Sequence, residues 1–233
     1  MRKRSALWVW MWTWVLCGSA AWAAPDGLSA TEARWLQGVR PVVVWARDSG
    51  LPLDIVVQPQ PMPESPPLAM AFVDGRCKLV LSMRGNAEAE ATLRRIEAEL
   101  LDATLELMAA HELGHCKRWR SGAWHGLPAG FVARVPETLD PQGRVAWAEM
   151  QAVRREEAYA DLVGLAWAQR RHAQHYARLQ AWLLAERSNT VLAGSHHDTR
   201  VWARLAQDRG ALAAGSIFDA AGRLWEAGLA LSD

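Results

Sequence analysis

The sequence has little excess charge, few cysteines and no internal repeats. Its 26 lysines and arginines nearly balance 25 aspartates and glutamates, which gives a formal net charge of +1. Three basic residues, Arg2, Lys3 and Arg4, lie in an N-terminal segment that we expect to be removed, and without them the net charge is about −2. A chain without a basic excess lacks the electrostatic attraction to phosphate that nucleic-acid binding requires, so we expect no nucleic-acid partner.

The first residues have the three parts of an export signal. Residues 1–4 are basic, residues 6–16 are apolar, and Ala21-Trp22-Ala23 matches a cleavage site with small residues at both ends. We therefore predict a signal peptide over residues 1–23. Residues 24–233 are predicted to form a single domain that is exported and is then periplasmic or secreted.

Two other fates of the N-terminal segment stay open. Cys17 could carry a lipid, although the preceding Leu16 is too large for a good lipidation signal. An uncut segment from Ser5 to Ala24 has barely the roughly 20 apolar residues that a bilayer span needs. Peripheral association with the cell envelope is therefore a further expectation.

The segment His111-Glu112-Leu113-Gly114-His115 has the residue types and spacing of a metal site. On a helix, His111 and His115 lie one turn apart on the same face, so both imidazoles can reach one ion. Glu112 lies beside that face, where its carboxylate can accept a proton from a metal-bound water. A zinc ion held in this way needs at least one more protein ligand.

Glu157 is the best candidate for the third ligand, because Asp161 follows it by one helical turn and could orient a ligating imidazole. The metzincin class is excluded, since Arg118 and Ser121 stand where it has glycine and histidine. The weaker candidates are His125 in a glycine-rich loop, Glu156 without an acid one turn later, and His172 and His175, which we expect to be solvated.

If the signal is removed, two cysteines remain, Cys77 and Cys116. An exported compartment permits a disulfide between them, which would tie a strand to the helix of His115. Two buried thiols explain the sequence equally well, so the pairing stays open. Because Cys116 directly follows His115, it points away from the metal face of the helix, and we exclude it as a ligand.

Residues 29–86 are predicted to form a short helix and a small antiparallel sheet. A capping box at Ser29-Ala30-Thr31-Glu32 begins the helix, which should end near Gly38, before Pro41. Residues 42–45 after the proline could be helix or strand. Residues 54–57 are predicted to be a strand, and the proline-rich residues 58–67 a surface loop.

The clearest hairpin joins residues 69–73 to residues 76–83. Asp74-Gly75 between them favours a type I′ turn. If the second strand of this hairpin were the sheet edge beside the cleft, it could bind a substrate as an added strand. A purely structural strand is the alternative.

The second half of the chain is predicted to be helical. Residues 87–120 form a helical region with a joint near residues 97–102, and residues 145–171 form the helix that bears Glu157. The glycine- and proline-rich residues 121–144 between them are predicted to be a long loop, and one hypothesis is that this loop is a lid that shapes substrate binding. Further helices are predicted over residues 173–186, 198–207 and 217–228. The fold class is therefore α+β, mostly helical.

The two metal motifs resemble those of the M48 metallopeptidases, a family that includes the CAAX prenyl proteases and the HtpX- and BepA-like enzymes. The family's second motif is similar to Glu157-Ala158-Tyr159-Ala160-Asp161, and its hairpin before the zinc helix is similar to residues 70–83. The resemblance covers about residues 69–205 and implies a gluzincin-type fold with one zinc ion per chain. The implied site residues are the zinc ligands His111, His115 and Glu157, the general base Glu112, and Asp161 beside a ligand.

Members of the family often have a later His-Pro motif whose histidine lies at the active site. His196 is the matching residue, but His197 stands where proline is expected and the following Arg200 is out of register. The resemblance implies a catalytic role for His196, as a transition-state donor or as a fourth ligand that silences the resting enzyme. The alternative is a loop in which Asp198 caps the next helix. The ImmA/IrrE-like peptidases share the first motif, but they are cytosolic, and the export signal argues against them.

The sequence therefore predicts a zinc-dependent endopeptidase of the cell envelope that hydrolyses peptide bonds in protein or peptide substrates. The alternative is a zinc-containing binding or chaperone-like factor, whose His196-His197 pair fills the open zinc position and restrains catalysis. A helical protein without metal is a third hypothesis.

Overall fold

The computed structural model describes residues 27–63, 65–189 and 194–232. The predicted signal peptide, including Cys17, lies outside these residues.

The elements in chain order are α1 (Ala30–Asp48), β1 (Leu53–Pro59), β2 (Leu68–Val73), β3 (Arg76–Arg84), α2 (Ala87–Arg95), α3 (Leu101–Arg120), α4 (Pro141–Arg171), α5 (Tyr176–Asn189), α6 (Arg200–Leu205) and α7 (Ile217–Ser232). Short 3₁₀ turns at Ala98–Leu100 and Arg209–Leu212 connect helices. A mostly helical α+β architecture is thus confirmed. None of the described helices is long and apolar enough to cross a bilayer.

Helix α1 is longer than the sequence suggested. The predicted capping box is present, with Ser29 accepting from the Glu32 backbone and Glu32 from the Ser29 backbone. The predicted end near Gly38 is wrong, because α1 continues through Pro41 to Asp48. The apolar face on both sides of the proline, including Trp35 and Val42, is completely buried. The free energy gained by burying this face outweighs the loss of the one helical hydrogen bond that a proline removes.

The sheet is mixed rather than antiparallel, with the strand order β1-β3-β2. The predicted hairpin is confirmed, since β2 and β3 pair antiparallel across Asp74 and Gly75, both of which have a positive φ. The correction comes from β1, which pairs parallel to β3. Strand β3 is therefore central and is not the sheet edge, whereas β2 lies at the edge.

Helices α3 and α4 approach each other closely at two glycines. A Cβ atom at Gly114 would lie 2.6 Å from the Cα atom of Ala160, and one at Gly164 would lie 2.9 Å from the Leu107 carbonyl oxygen. Both contacts involve backbone atoms, which cannot move aside without shifting a helix. The two helices that bear the metal motifs therefore depend on glycine for their spacing.

The connections around α3 agree in part with the sequence. The predicted joint in the first helical region is present, since α2 ends at Arg95 and α3 begins at Leu101. The predicted loop after α3 is shorter than expected at its end, because α4 begins at Pro141. Asp140 caps α4 by accepting a hydrogen bond from the Gly143 backbone, and proline is favoured in the first turn of a helix.

Cys77 and Cys116 form a disulfide that ties β3 to α3. Both residues are completely buried in the core. The bond joins the central strand to the residue that follows His115. The question that the sequence left open is thus answered in favour of pairing.

The disulfide should contribute strongly to stability. It closes a loop with a sequence separation of 39 residues, so replacing both cysteines by alanine should lower the free energy of unfolding by up to about 4 kcal/mol. Urea denaturation of the two proteins under oxidising conditions measures the difference. Equal stability would show that the bond does not constrain the unfolded chain.

Gly114→Ala should increase the distance between α3 and α4. The added methyl group meets backbone at Ala160, so we expect a loss of about 1–3 kcal/mol in unfolding free energy, together with weaker metal binding. Gly222→Ala in α7 is the matched control, because a Cβ atom there meets nothing within 4 Å. That change should instead stabilise the protein by roughly 0.5–1 kcal/mol. Similar effects of the two changes would argue against the close approach.

Candidate metal centre

His111 and His115 lie one turn apart on α3 and direct their imidazoles toward the same point. Their Nε2 atoms are 3.2 Å apart, and both side chains are largely buried. Helix α4 brings the carboxylate of Glu157 to this pair. Its Oε2 atom is 3.5 Å from Nε2 of His111, and its Oε1 atom is 3.5 Å from Nε2 of His115.

These separations fit a zinc ion. Zinc bonds of about 2.0–2.1 Å at tetrahedral angles place neighbouring ligand atoms about 3.3–3.4 Å apart. The Nε2–Nε2 distance of 3.2 Å and the two N–O distances of 3.5 Å, which involve different oxygens of Glu157, lie on either side of that value. Within the described residues this is the one group of three or more such side chains close enough to hold a metal ion, with ligand atoms within 4.8 Å of one another. If all three bound zinc, a fourth coordination position would stay open, as in catalytic zinc sites.

Two of the three candidate ligands are in the protonation states that metal binding needs. Burial would lower the pKa of His111, but the hydrogen bond to Asp161 and the charges of Asp161 and Glu157 outweigh it and raise this pKa, so a metal ion would compete with a proton there. Burial, reinforced by the nearby His111, lowers the pKa of His115 to about 4, so its imidazole is neutral. Burial alone would raise the pKa of Glu157, but the hydrogen bond from His197 and the two histidines outweigh it and lower this pKa to about 2. The Nδ1 atom of His115 is buried and has no hydrogen-bond partner.

Asp161 orients the imidazole of His111 through the ring nitrogen that does not face Glu157. The Nδ1 atom of His111 donates to Oδ1 of Asp161 over 2.9 Å, which leaves Nε2 free to face Glu157. Burial would raise the pKa of Asp161, but Arg187 and His111 outweigh it and hold this pKa well below its ordinary value. The sequence prediction for Asp161 matches this placement.

Arg187 is a site residue that the sequence did not reveal. It lies on α5 and donates to both carboxylate oxygens of Asp161, over 2.6 and 2.9 Å. The hydroxyl of Thr199 also donates to Asp161. Arg187 lies 3.7 Å from Glu157 as well, so one guanidinium neutralises part of the charge of two buried carboxylates. An arginine near the end of a helix has no distinctive sequence signal.

Glu112 lies beside the three ligands at the base of the cleft. Burial raises the pKa of Glu112 to about 7, although the neighbouring His111 opposes this rise. Met70 of the edge strand β2 lines the same cleft as Glu112.

The structure brings His197 to the centre, rather than His196. The Nδ1 atom of His197 lies 3.2 Å from Oε2 of Glu157. His196 is exposed and packs against His197, with ring centroids 4.1 Å apart. The alternative prediction, that Asp198 caps α6, is wrong, because the Asp198 side chain pairs with Arg200 instead. The catalytic role of His196 stays a prediction, and the structure adds His197 as the member of the pair that contacts Glu157.

The other candidate ligands have different partners. Glu156 forms a buried ion pair with Arg118, and it also accepts a hydrogen bond from the His125 backbone. The expectation that His172 is solvated is wrong, because its side chain is only 19% exposed and its Nε2 atom lies 3.0 Å from Glu106. His175 is also partly buried, 3.9 Å from Glu99.

The metal centre opens into a cleft of about 540 Å³. Strand β2 borders one side of the cleft with Met70 and Phe72, and Trp124 from the loop after α3 borders it near His115. Helix α5 contributes Trp182 and Arg187. The cleft thus combines an apolar wall with a small group of charged side chains.

Comparisons with known proteins found no match: no family model, no curated protein and no solved structure is significantly similar to this chain.

Replacing Glu157 by alanine should remove one of three ligands and lower zinc affinity by at least about 100-fold. Glu149→Ala is the matched control, since Glu149 lies on the same helix but is exposed. Zinc titration against a competing chelator, with elemental analysis of the purified proteins, measures both. Unchanged zinc affinity in the Glu157 variant would show that another group binds the metal.

Proposed function

We propose that the protein is a zinc-dependent endopeptidase of the cell envelope. The observation that carries this proposal is the convergence of His111, His115 and Glu157, with Glu112 beside them, at the base of a cleft bordered by a sheet edge. The donor set of two imidazoles and a carboxylate is typical of catalytic zinc sites. The proposal includes one zinc ion per chain and a gluzincin-type, M48-like family assignment.

A bound zinc ion would act as a Lewis acid on the scissile carbonyl and would lower the pKa of a bound water, so that the water could lose a proton and attack near neutral pH. The protein's own contribution is to place a proton acceptor and to hold the ligands. The Glu112 carboxylate would accept the proton of the attacking water and then donate it to the nitrogen of the leaving amine. Asp161 and Arg187 keep the His111 ring in the orientation that leaves its Nε2 atom available.

Strand β2 offers a place for the substrate backbone. The Ser82 N–H donates to the Pro67 carbonyl, and the antiparallel register continues from this pair along β2. Because hydrogen-bonded and non-hydrogen-bonded pairs alternate, the N–H and C=O groups of Leu68, Met70 and Phe72 point away from β3. An extended peptide could therefore add to this edge as a fourth strand, in the cleft that Glu112 also lines.

Export is also part of the proposal. The signal-like N-terminus motivates it, and the buried Cys77–Cys116 disulfide supports it, because disulfides persist mainly in oxidising compartments outside the cytosol. Proteins or peptides of the envelope would then be the substrates.

A second candidate function is a zinc-containing binding factor with restrained catalysis. The position of His197 favours it, since its Nδ1 atom lies within 3.2 Å of a predicted ligand oxygen. An imidazole at the open coordination position would exclude water and substrate from the metal. The protein would then hold unfolded chains in its cleft without cutting them.

Glu112→Gln separates catalysis from metal binding. The amide cannot accept the proton, so casein cleavage should fall by about 10²–10⁴-fold while zinc content stays the same. Glu149→Gln is the control for the chemical change, and a chelator should abolish cleavage by the unmodified protein. A Glu112→Gln protein with full activity would refute the role of Glu112. A zinc-loaded, unmodified protein that leaves casein intact would refute the endopeptidase and favour the binding factor.

A further inference from the structure

Trp124 is placed beside the metal centre without taking part in it. Its indole packs edge-to-face against the His115 ring, with ring centroids 5.8 Å apart, and against the Phe72 ring, with centroids 5.6 Å apart. The residue is 37% exposed and lines the cleft. A large apolar side chain with that exposure, in a cleft next to a candidate zinc ligand, can still bury surface against a bound molecule.

The loop around Trp124 is fixed by a buried ion pair. Arg118 and Glu156 pair over 2.8 Å, and both are almost completely buried. Arg118 also donates to the Gly126 carbonyl over 2.7 Å, and the His125 N–H donates to Glu156 over 2.7 Å. The two residues after Trp124 are therefore tied to α3 and α4. This part of the loop forms a fixed wall and is not free to act as a moving lid.

Phe72 completes the wall from the side of the sheet. Its ring stacks on Trp119 of α3, with centroids 4.7 Å apart and an interplanar angle of 16°. Phe72 is also one of the β2 residues whose backbone groups point to the open edge. In an added strand, the residue opposite Phe72 would project its side chain from the same face of the sheet, toward Trp124.

We propose that Trp124 and Phe72 form a subsite for a large apolar side chain, aromatic or long aliphatic, of a peptide substrate. The inference rests on the proposed endopeptidase function and specifies its substrate class. Trp124 contacts the ring of the candidate ligand His115. The recognised side chain therefore lies close to the cleaved bond. Trp124 determines specificity, and it is not a catalytic residue.

The test uses synthetic capped octapeptides that are identical except at one position, which holds Phe, Leu, Ala or Asp. This position is moved through the six central sites, and kcat/KM is measured for each peptide. The unmodified protein should prefer Phe and Leu over Ala by about tenfold or more at one site near the cleaved bond. Trp124→Ala should reduce that preference at least tenfold, and Trp124→Phe should restore most of it.

Val132→Ala is the matched control, because Val132 lies in the same loop, is 82% exposed and does not line the cleft. It should keep the full preference. A Trp124→Ala protein that still prefers Phe and Leu would overturn the subsite, and so would an unmodified protein that cleaves without this preference.

A binding arm separates failure of the subsite from failure of the proposed function. The same peptides are titrated calorimetrically into zinc-loaded Glu112→Gln protein, with and without Trp124→Ala. Tighter binding of Phe peptides that is lost with Trp124 supports the subsite even if no cleavage is ever detected. Equal affinities for Phe and Asp peptides overturn it. Absence of cleavage by the zinc-loaded, unmodified protein counts against the endopeptidase alone.

Discussion

The site depends on the close approach of α3 and α4. The Glu157 carboxylate can lie 3.5 Å from each of the two imidazoles only if the two helices that supply them are separated by little more than their backbones. Gly114 and Gly164 make this possible, each where a side chain would collide with the opposite backbone. Glycine is costly inside a helix, by roughly 1 kcal/mol relative to alanine. Here that cost is offset by the contact it allows.

Close approach also creates an electrostatic problem, because it buries several ionisable groups together. Glu157 and Asp161 are both ionised, and Arg187 supplies one compensating charge to the pair. Burial of a charge without a partner is strongly unfavourable. Burial would lower the pKa of His111, but Asp161 and Glu157 outweigh it and raise this pKa, so a proton on His111 can supply further positive charge. A divalent cation between Glu157 and the two imidazoles would compete with that proton.

Some of this could be read from the sequence because it depends on local spacing. Three features are of that kind: the turn at Asp74-Gly75, the one-turn spacing of His111 and His115, and the one-turn spacing of Glu157 and Asp161. Features set by contacts distant in sequence were missed. Pro41 is accommodated inside α1 by burial on both sides. The parallel pairing of β1 and the arrival of Arg187 at Asp161 depend on how elements pack, which no local pattern encodes.

The wall of the cleft and two of the three candidate metal ligands are attached to the same helix. Helix α3 supplies His111 and His115, is bonded to the sheet through Cys116, and supports Phe72 through Trp119. Its Arg118 fixes the loop of Trp124. Productive geometry tolerates errors of only about 0.5 Å, so a substrate held by a separate, movable element would be misplaced relative to the metal. Because α3 carries Glu112 and supports this wall, a peptide bound along β2 and against Trp124, as proposed, would be positioned relative to Glu112 by a single helix.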